Sequence, residues 1–79
     1  NENWKFDVKV PIKDILKVNS DGQTLEDALI NVKDGLTSKS EGNVLLYKKG
    51  DKYEVGDGFH RIAEKILSGG KYIKADVKY

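Results

Sequence analysis

The stretch Val55-Gly56-Asp57-Gly58-Phe59-His60-Arg61-Ile62-Ala63 changes its period in the middle. Ahead of the glycines, Lys52-Tyr53-Glu54-Val55 has the β-branched and aromatic content of a strand. Behind them, Phe59, Ile62, Ala63, Ile66 and Leu67 fall at i, i+3, i+4, i+7 and i+8, the apolar stripe of an amphipathic helix, which Ser68-Gly69-Gly70 ends. A strand therefore runs through glycine directly into a helix. One step upstream, Val44-Leu45-Leu46-Tyr47-Lys48-Lys49 reads as a partner strand, joined to Lys52 by the two-residue hairpin signal Gly50-Asp51. One step downstream, Ile73, Ala75, Val77 and Tyr79 alternate with Tyr72, Lys74, Asp76 and Lys78, a half-buried strand.

The amino-terminal half follows the same logic. Trp4, Phe6, Val8, Val10 and Ile12 alternate with Lys5, Asp7, Lys9 and Pro11, which predicts a strand whose aromatic and aliphatic residues share one buried face. Pro11 has no donor and belongs at the strand's end or on an edge. Ile15-Leu16 suggests a short helical turn and Asn19-Ser20-Asp21-Gly22 a loop. Thr24 and Asp27 form a capping pair ahead of the stripe Leu25, Ala28, Leu29, Val32, and Gly35 closes that helix. Thr37 to Asn43 is free of apolar residues and reads as a mobile loop. The spacing thus predicts helices over 24–34 and 58–68, with strands near 5–12, 44–49, 52–56 and 72–78. The expected fold is α+β, a small mixed sheet with two helices on one face, built from residues 1–79 as one domain.

Composition removes several chemistries. The chain has 79 residues and no Cys, so disulfides, thiolate metal sites and cysteine nucleophiles are excluded. A single His does not make a zinc site. Only 38% of residues are hydrophobic, and a core drawn from so short a chain leaves roughly 3–5 kcal/mol of net stability. Net charge is +1, which argues against a polycation footprint for nucleic acid. No apolar run reaches membrane-spanning length and the first residues lack a signal-peptide layout, so a cytoplasmic setting is the expectation.

The strand-to-helix junction is also where chemistry concentrates. Asp57, Gly58, His60 and Arg61 gather the only His and the only Arg of a chain that otherwise uses Lys for every positive charge. The first N–H groups of a helix lack intrahelical partners and face the positive end of its dipole. Gly58 offers close approach, Arg61 a planar fork of donors suited to phosphate, and His60 a further ring N–H donor. Two readings of these residues stand: a phosphate cradle, or a plain turn in which Asp57 is the N-cap and His60 and Arg61 are solvated.

Asp57-Gly58-Phe59-His60-Arg61 followed by Ile62-Ala63 resembles the D-G-x-H-R-x-x-A signature of the ParB/sulfiredoxin-like superfamily. The likeness extends to Lys9-Val10-Pro11-Ile12 as the opening strand, Leu25 to Leu36 as the first helix, the hairpin, and Tyr72 to Val77 as the closing strand. It implies a nucleotide-phosphate pocket contacted by Gly58, His60 and Arg61. The ligand expected there is a nucleoside triphosphate with Mg²⁺ or another phosphate group with no cofactor, and Asp57 is read as capping the helix or holding a metal that accompanies the phosphates. Sulfiredoxins carry their catalytic Cys where this chain has Phe59, so that chemistry is excluded. Partition proteins of the superfamily read G-E-R-R here; Gly58 and Arg61 match, while Phe59 and His60 do not. Relatives also commonly have a Pro in the loop before the hairpin, where this chain has Ser40-Glu41-Gly42-Asn43.

Phe59 belongs to the apolar stripe and reads as core. Glu64 stands at i+4 from His60, a surface pair rather than a catalytic dyad. No Ser/His/Asp set is identifiable, so catalysis is left open. Lys48, Lys49 and Lys52, interleaved with Tyr47 and Tyr53, have the basic-aromatic pattern of a single-strand binding surface. An edge hairpin also uses lysines to resist aggregation, and the +1 net charge favours that reading, so direct binding of nucleic acid is not expected. The functional expectation is a phosphate- or nucleotide-binding domain. The alternative is a non-enzymatic protein-interaction regulator or inhibitor of phage or plasmid type on the same scaffold.

Overall fold

The chain is described by a computed structural model over residues 3–35 and 42–79. The elements run β1 (Trp4–Pro11), a 3-10 turn (Ile12–Asp14), α1 (Leu25–Lys33), β2 (Val44–Lys49), β3 (Lys52–Asp57), α2 (Phe59–Leu67) and β4 (Tyr72–Lys78). The expected elements are all present, with bounds within a residue or so. The sheet order is β1-β4-β2-β3; β4 pairs antiparallel with β1 and parallel with β2, and β2 pairs antiparallel with β3. The architecture is therefore α+β with a four-stranded mixed sheet and two helices.

One face of the sheet is the core. Val10, Val44, Leu46, Val55, Ile73, Ala75 and Val77 are buried together with Phe59, Ile62 and Ala63 of α2 and Leu25 and Ala28 of α1. Helix α2 lies over β2 and β4, and α1 packs chiefly against α2. The Thr24 hydroxyl accepts from the Asp27 N–H at 3.1 Å, so the cap read from the sequence is formed. The loop ahead of it is organised by buried Asn19, whose Oδ1 accepts from the N–H groups of Asp21 and Gln23. Ile15 does not continue a helical turn. It bridges to Tyr53 on edge strand β3, where the Leu16 N–H donates to the Tyr53 carbonyl at 2.7 Å. The expected loop 37–43 falls mostly on residues 36–41, outside the described residues, as does Leu36.

The expected single buried face of β1 is corrected. The register slips between Lys5, opposite Val77, and Val8, opposite Ala75, so one extra residue is inserted. Because strand side chains alternate, a one-residue insertion moves everything before it to the other face. Val8 and Val10 face the core, while Trp4 and Phe6 stand on the helix-free face, Phe6 being 63% exposed. The bulge contains Asp7 at φ 56°, the only described non-glycine residue with positive φ. Its N–H donates to Asp76 Oδ1, and the Asn43 amide donates to both Asp7 Oδ1 and Asp76 Oδ1 at 2.6 and 3.0 Å. Asp is among the residues that tolerate this conformation, and the three hydrogen bonds hold it there.

Candidate functional site at the start of the second helix

Helix α2 begins at Phe59 after Gly58, which is its N-cap at φ 120° and ψ 22°. Asp57 is the last residue of β3, exposed and opposite Leu45, so the expectation that it caps the helix is not met. Among the described residues no side chain caps α2. Its first-turn N–H groups therefore keep the unpaired, positive character that attracts anions.

The two glycines around Asp57 do different work. Between Leu46, opposite Val55, and Leu45, opposite Asp57, the hairpin carries one extra residue, Gly56. A Cβ on Gly56 would lie 2.6 Å from Tyr47 Cε2 and 3.2 Å from Leu45 Cδ2, so its bareness seats the Tyr47 ring on the helix-free face. A Cβ on Gly58 would lie 2.6 Å from Val44 Cγ1 and 2.8 Å from Val44 Cβ. The bareness of Gly58 is thus accounted for by core packing and by its positive φ, which L residues rarely adopt. The open approach to phosphate read from the sequence is not where its missing side chain points.

Arg61 and His60 leave the apolar stripe as expected. His60 is exposed, and the Asn31 amide nitrogen lies 3.4 Å from its Nε2, donating when that nitrogen carries no proton. Arg61 is partly buried, and its Nη1 is buried with no hydrogen-bond partner among the described residues. A desolvated guanidinium nitrogen without an acceptor is unusual in a native fold and calls for an explanation. The structure thus brings Asp57, Gly58, His60 and Arg61 to one strand-to-helix junction. Among the described residues no group of three His, Asp or Glu side chains forms a metal site. A Mg²⁺ would accordingly have to arrive on a ligand's phosphates, with exposed Asp57 as the nearest protein carboxylate in sequence.

The hairpin lysines divide between the two faces: Lys49 and Lys52 stand opposite each other on the helix-free face, and Lys48 stands on the other. Lys48 alternates with Leu46 and stands on the core side beyond the helices, its Nζ 4.7 Å from the Tyr53 ring centre and donating to the Gly50 carbonyl. Lys52 pairs with Asp14 at 3.6 Å. Lys49 and Tyr47 point to the opposite face from Lys48 and Tyr53. No helix among the described residues is long and apolar enough to cross a membrane. Compared with known proteins, the chain matches no family model and no curated sequence.

Proposed function

We propose that the chain is a ParB/sulfiredoxin-like domain that binds the phosphate group of a nucleotide at the start of α2. The observation that carries this reading is the buried Nη1 of Arg61, which has no partner among the described residues, in the first turn of a helix that none of their side chains caps. A phosphate oxygen supplies the acceptor that nitrogen lacks, and the same anion answers the free N–H groups and the dipole. His60 adds a donor from the exposed side, and Asp57 meets any Mg²⁺ carried by the phosphates. A nucleotide ligand is compatible with the cytoplasmic setting expected from the sequence.

A thermal-shift series with nucleoside triphosphates, with and without Mg²⁺, tests it. A ligand at a hundredfold excess over Kd adds about 2.7 kcal/mol, which in a domain of this size raises Tm by on the order of 10 °C. Arg61→Ala abolishes the shift and leaves the ligand-free Tm nearly unchanged. Arg61→Lys restores little, because an ammonium keeps the charge and loses the fork. If no nucleotide moves the wild type and Arg61→Ala costs several kcal/mol, Arg61 is a structural residue and the reading is wrong.

One observation favours the second reading, a non-enzymatic interaction module of phage or plasmid type. Gly58, central to the motif, is fully accounted for by Val44. Under that reading the same thermal-shift series is flat for every nucleotide.

A further inference from the structure

The helix-free face of the sheet carries a group of rings that the core does not use. Trp4 and Phe6 stand side by side on β1, their rings within 10° of parallel and 6.5 Å apart between centres. Tyr47 of β2 lies 6.5 Å from Trp4 at 54°. The β1 bulge turns the first two outward, and Gly56 makes room for the third. Tyr72, 47% exposed, stands on the same face at the far end of β4. Two separate irregularities, a strained Asp7 and a bare Gly56, thus both place rings on this face, Phe6 exposed and Trp4 and Tyr47 half-buried.

The charge on this face is uneven. Lys9, Lys74 and Lys78 point outward from β1 and β4, since each alternates with a core-facing residue. Lys9 Nζ sits 4.7 Å from the Tyr72 ring centre. Beyond Tyr72 the face runs into an open concavity of about 340 Å³ lined by Pro11, Ile12, Lys13, Gly70, Lys71 and Tyr72, which adds two more lysines. The acids between them, Asp7 and Asp76, both accept hydrogen bonds from Asn43. On β2 and β3 the same face carries Lys49 and Lys52 balanced by Glu54, opposite Tyr47, and Asp57, opposite Leu45, so the excess of lysine lies on the β1–β4 half.

We propose that this face binds single-stranded nucleic acid, with bases on Trp4, Phe6 and Tyr47 and the backbone along Lys78, Lys74 and Lys9 toward Lys71. Rings interleaved with lysines on a sheet face that no described element covers are what an unpaired strand needs, because its base faces are free to stack and its phosphates seek cations. A duplex hides those faces. The proposal departs from the expectation drawn from net charge and does not depend on the Arg61 site, which belongs to a helix on the other side of the sheet.

Trp4 is the only Trp, so its emission reports on the platform directly. The experiment titrates the protein with a fluorescein-labelled 15-mer of dT at about 20 mM salt, reading anisotropy, and with the unlabelled strand, reading Trp4 emission. The expected result is binding with Trp4 quenching and a log K against log salt slope of about −2, at about −0.7 per phosphate neutralised. Phe6→Ala weakens binding about fivefold or more, as loss of one stacked base does. The pair Lys9→Gln and Lys74→Gln makes the slope shallower by about 1.4. Absence of binding at 20 mM salt overturns the proposal. So does equal competition by a duplex, which makes the face a general anion surface, or binding indifferent to Phe6→Ala. Trp4 quenching that follows protein concentration without the strand assigns the face to a second copy of the chain and equally overturns it. Phe6 and the lysines are exposed, and an unchanged Tm confirms that each variant is folded.

Discussion

The sheet has two bulges, and they are built from opposite materials. At Gly56 the extra residue has no side chain, and the strand bends at little cost while Tyr47 fills the space. At Phe6–Asp7 the extra turn falls on an acid at φ 56°, a conformation that costs of order 1–3 kcal/mol for non-glycine residues. There the expense is offset by hydrogen bonds from Asn43 and to Asp76. Both bulges end with an aromatic ring on the same face. One is made by subtraction and the other by a latch, so substitutions at the two act in different ways.

The largest effect contrasts Gly56 with its neighbour Gly58. Gly58→Ala forces a side chain into a positive φ and against buried Val44, adding strain to overpacking. A loss of about 3 kcal/mol is expected, enough to unfold much of a domain with so small a margin. Gly56→Ala meets only a Tyr47 ring and a Leu45 methyl, both on the open face. It should cost about 1 kcal/mol, with most of the change in the near-ultraviolet aromatic signal. Urea unfolding of the two variants side by side decides this, and equal losses would show that the glycines share one role.

That contrast also explains what the sequence discloses. The junction at Val55 to Ala63 is readable because glycine and the change of period are local signals, and the cap at Thr24 is readable for the same reason. The β1 bulge is not, since Phe6-Asp7-Val8 continues a perfect alternation and its reversal depends on Asn43 and Asp76, 36 and 69 positions away from Asp7. Period-2 reading thus gave the strand and the wrong face for Trp4 and Phe6. The hairpin lysines divide for a different reason: neighbours in sequence, Lys48 and Lys49 point to opposite faces, while Lys52 stands opposite Lys49 and also reaches Asp14 across the fold. At the motif, sequence placed the residues together, while the uncapped helix and the bare Nη1 of Arg61 emerged only in three dimensions.

Next in size is the latch. Asn43→Ala removes two hydrogen bonds to carboxylates and leaves Asp7 and Asp76 facing one another. A loss of about 2 kcal/mol is expected, since bonds to charged groups contribute about 1.5–3 kcal/mol each and exposure discounts them. Trp4 emission should shift as well, because the bulge that orients it is loosened. Asn43→Asp is expected to be worse than alanine, by adding a third like charge. If Asn43→Ala leaves both Tm and Trp4 emission unchanged, the bulge is held by β1–β4 pairing alone.

A smaller effect comes from pH at the hairpin. Tyr53 titrates above the ordinary tyrosine range, first because burial disfavours the phenolate, then because the Tyr79 hydroxyl and the Asp14 carboxylate are near. A raised acid pKa keeps the folded state protonated after the unfolded chain has ionised. Stability is then lost as pH rises above about 10, where the unfolded tyrosine releases its proton. Tyr53→Phe should flatten that alkaline decline in Tm without altering the neutral value much.

The smallest effect lies one residue further along the same strand. Glu54 accepts from the Ser20 N–H at 3.0 Å, and that bond holds its carboxyl below the usual glutamate range, with Lys49 helping. A depressed carboxyl contributes stability that is present above its unfolded pKa and is lost as pH falls through its folded one. The bond ties the Asn19–Gly22 loop to edge strand β3, so its loss frees the loop while the core stays intact. The difference in Tm between wild type and Glu54→Gln should therefore shrink steadily from pH 6 to pH 3. Because Glu54 is solvated, salt should narrow the same difference at neutral pH. A gap that stays constant across the titration would mean that the loop is held by Asn19 alone, and that the carboxylate contributes nothing to it.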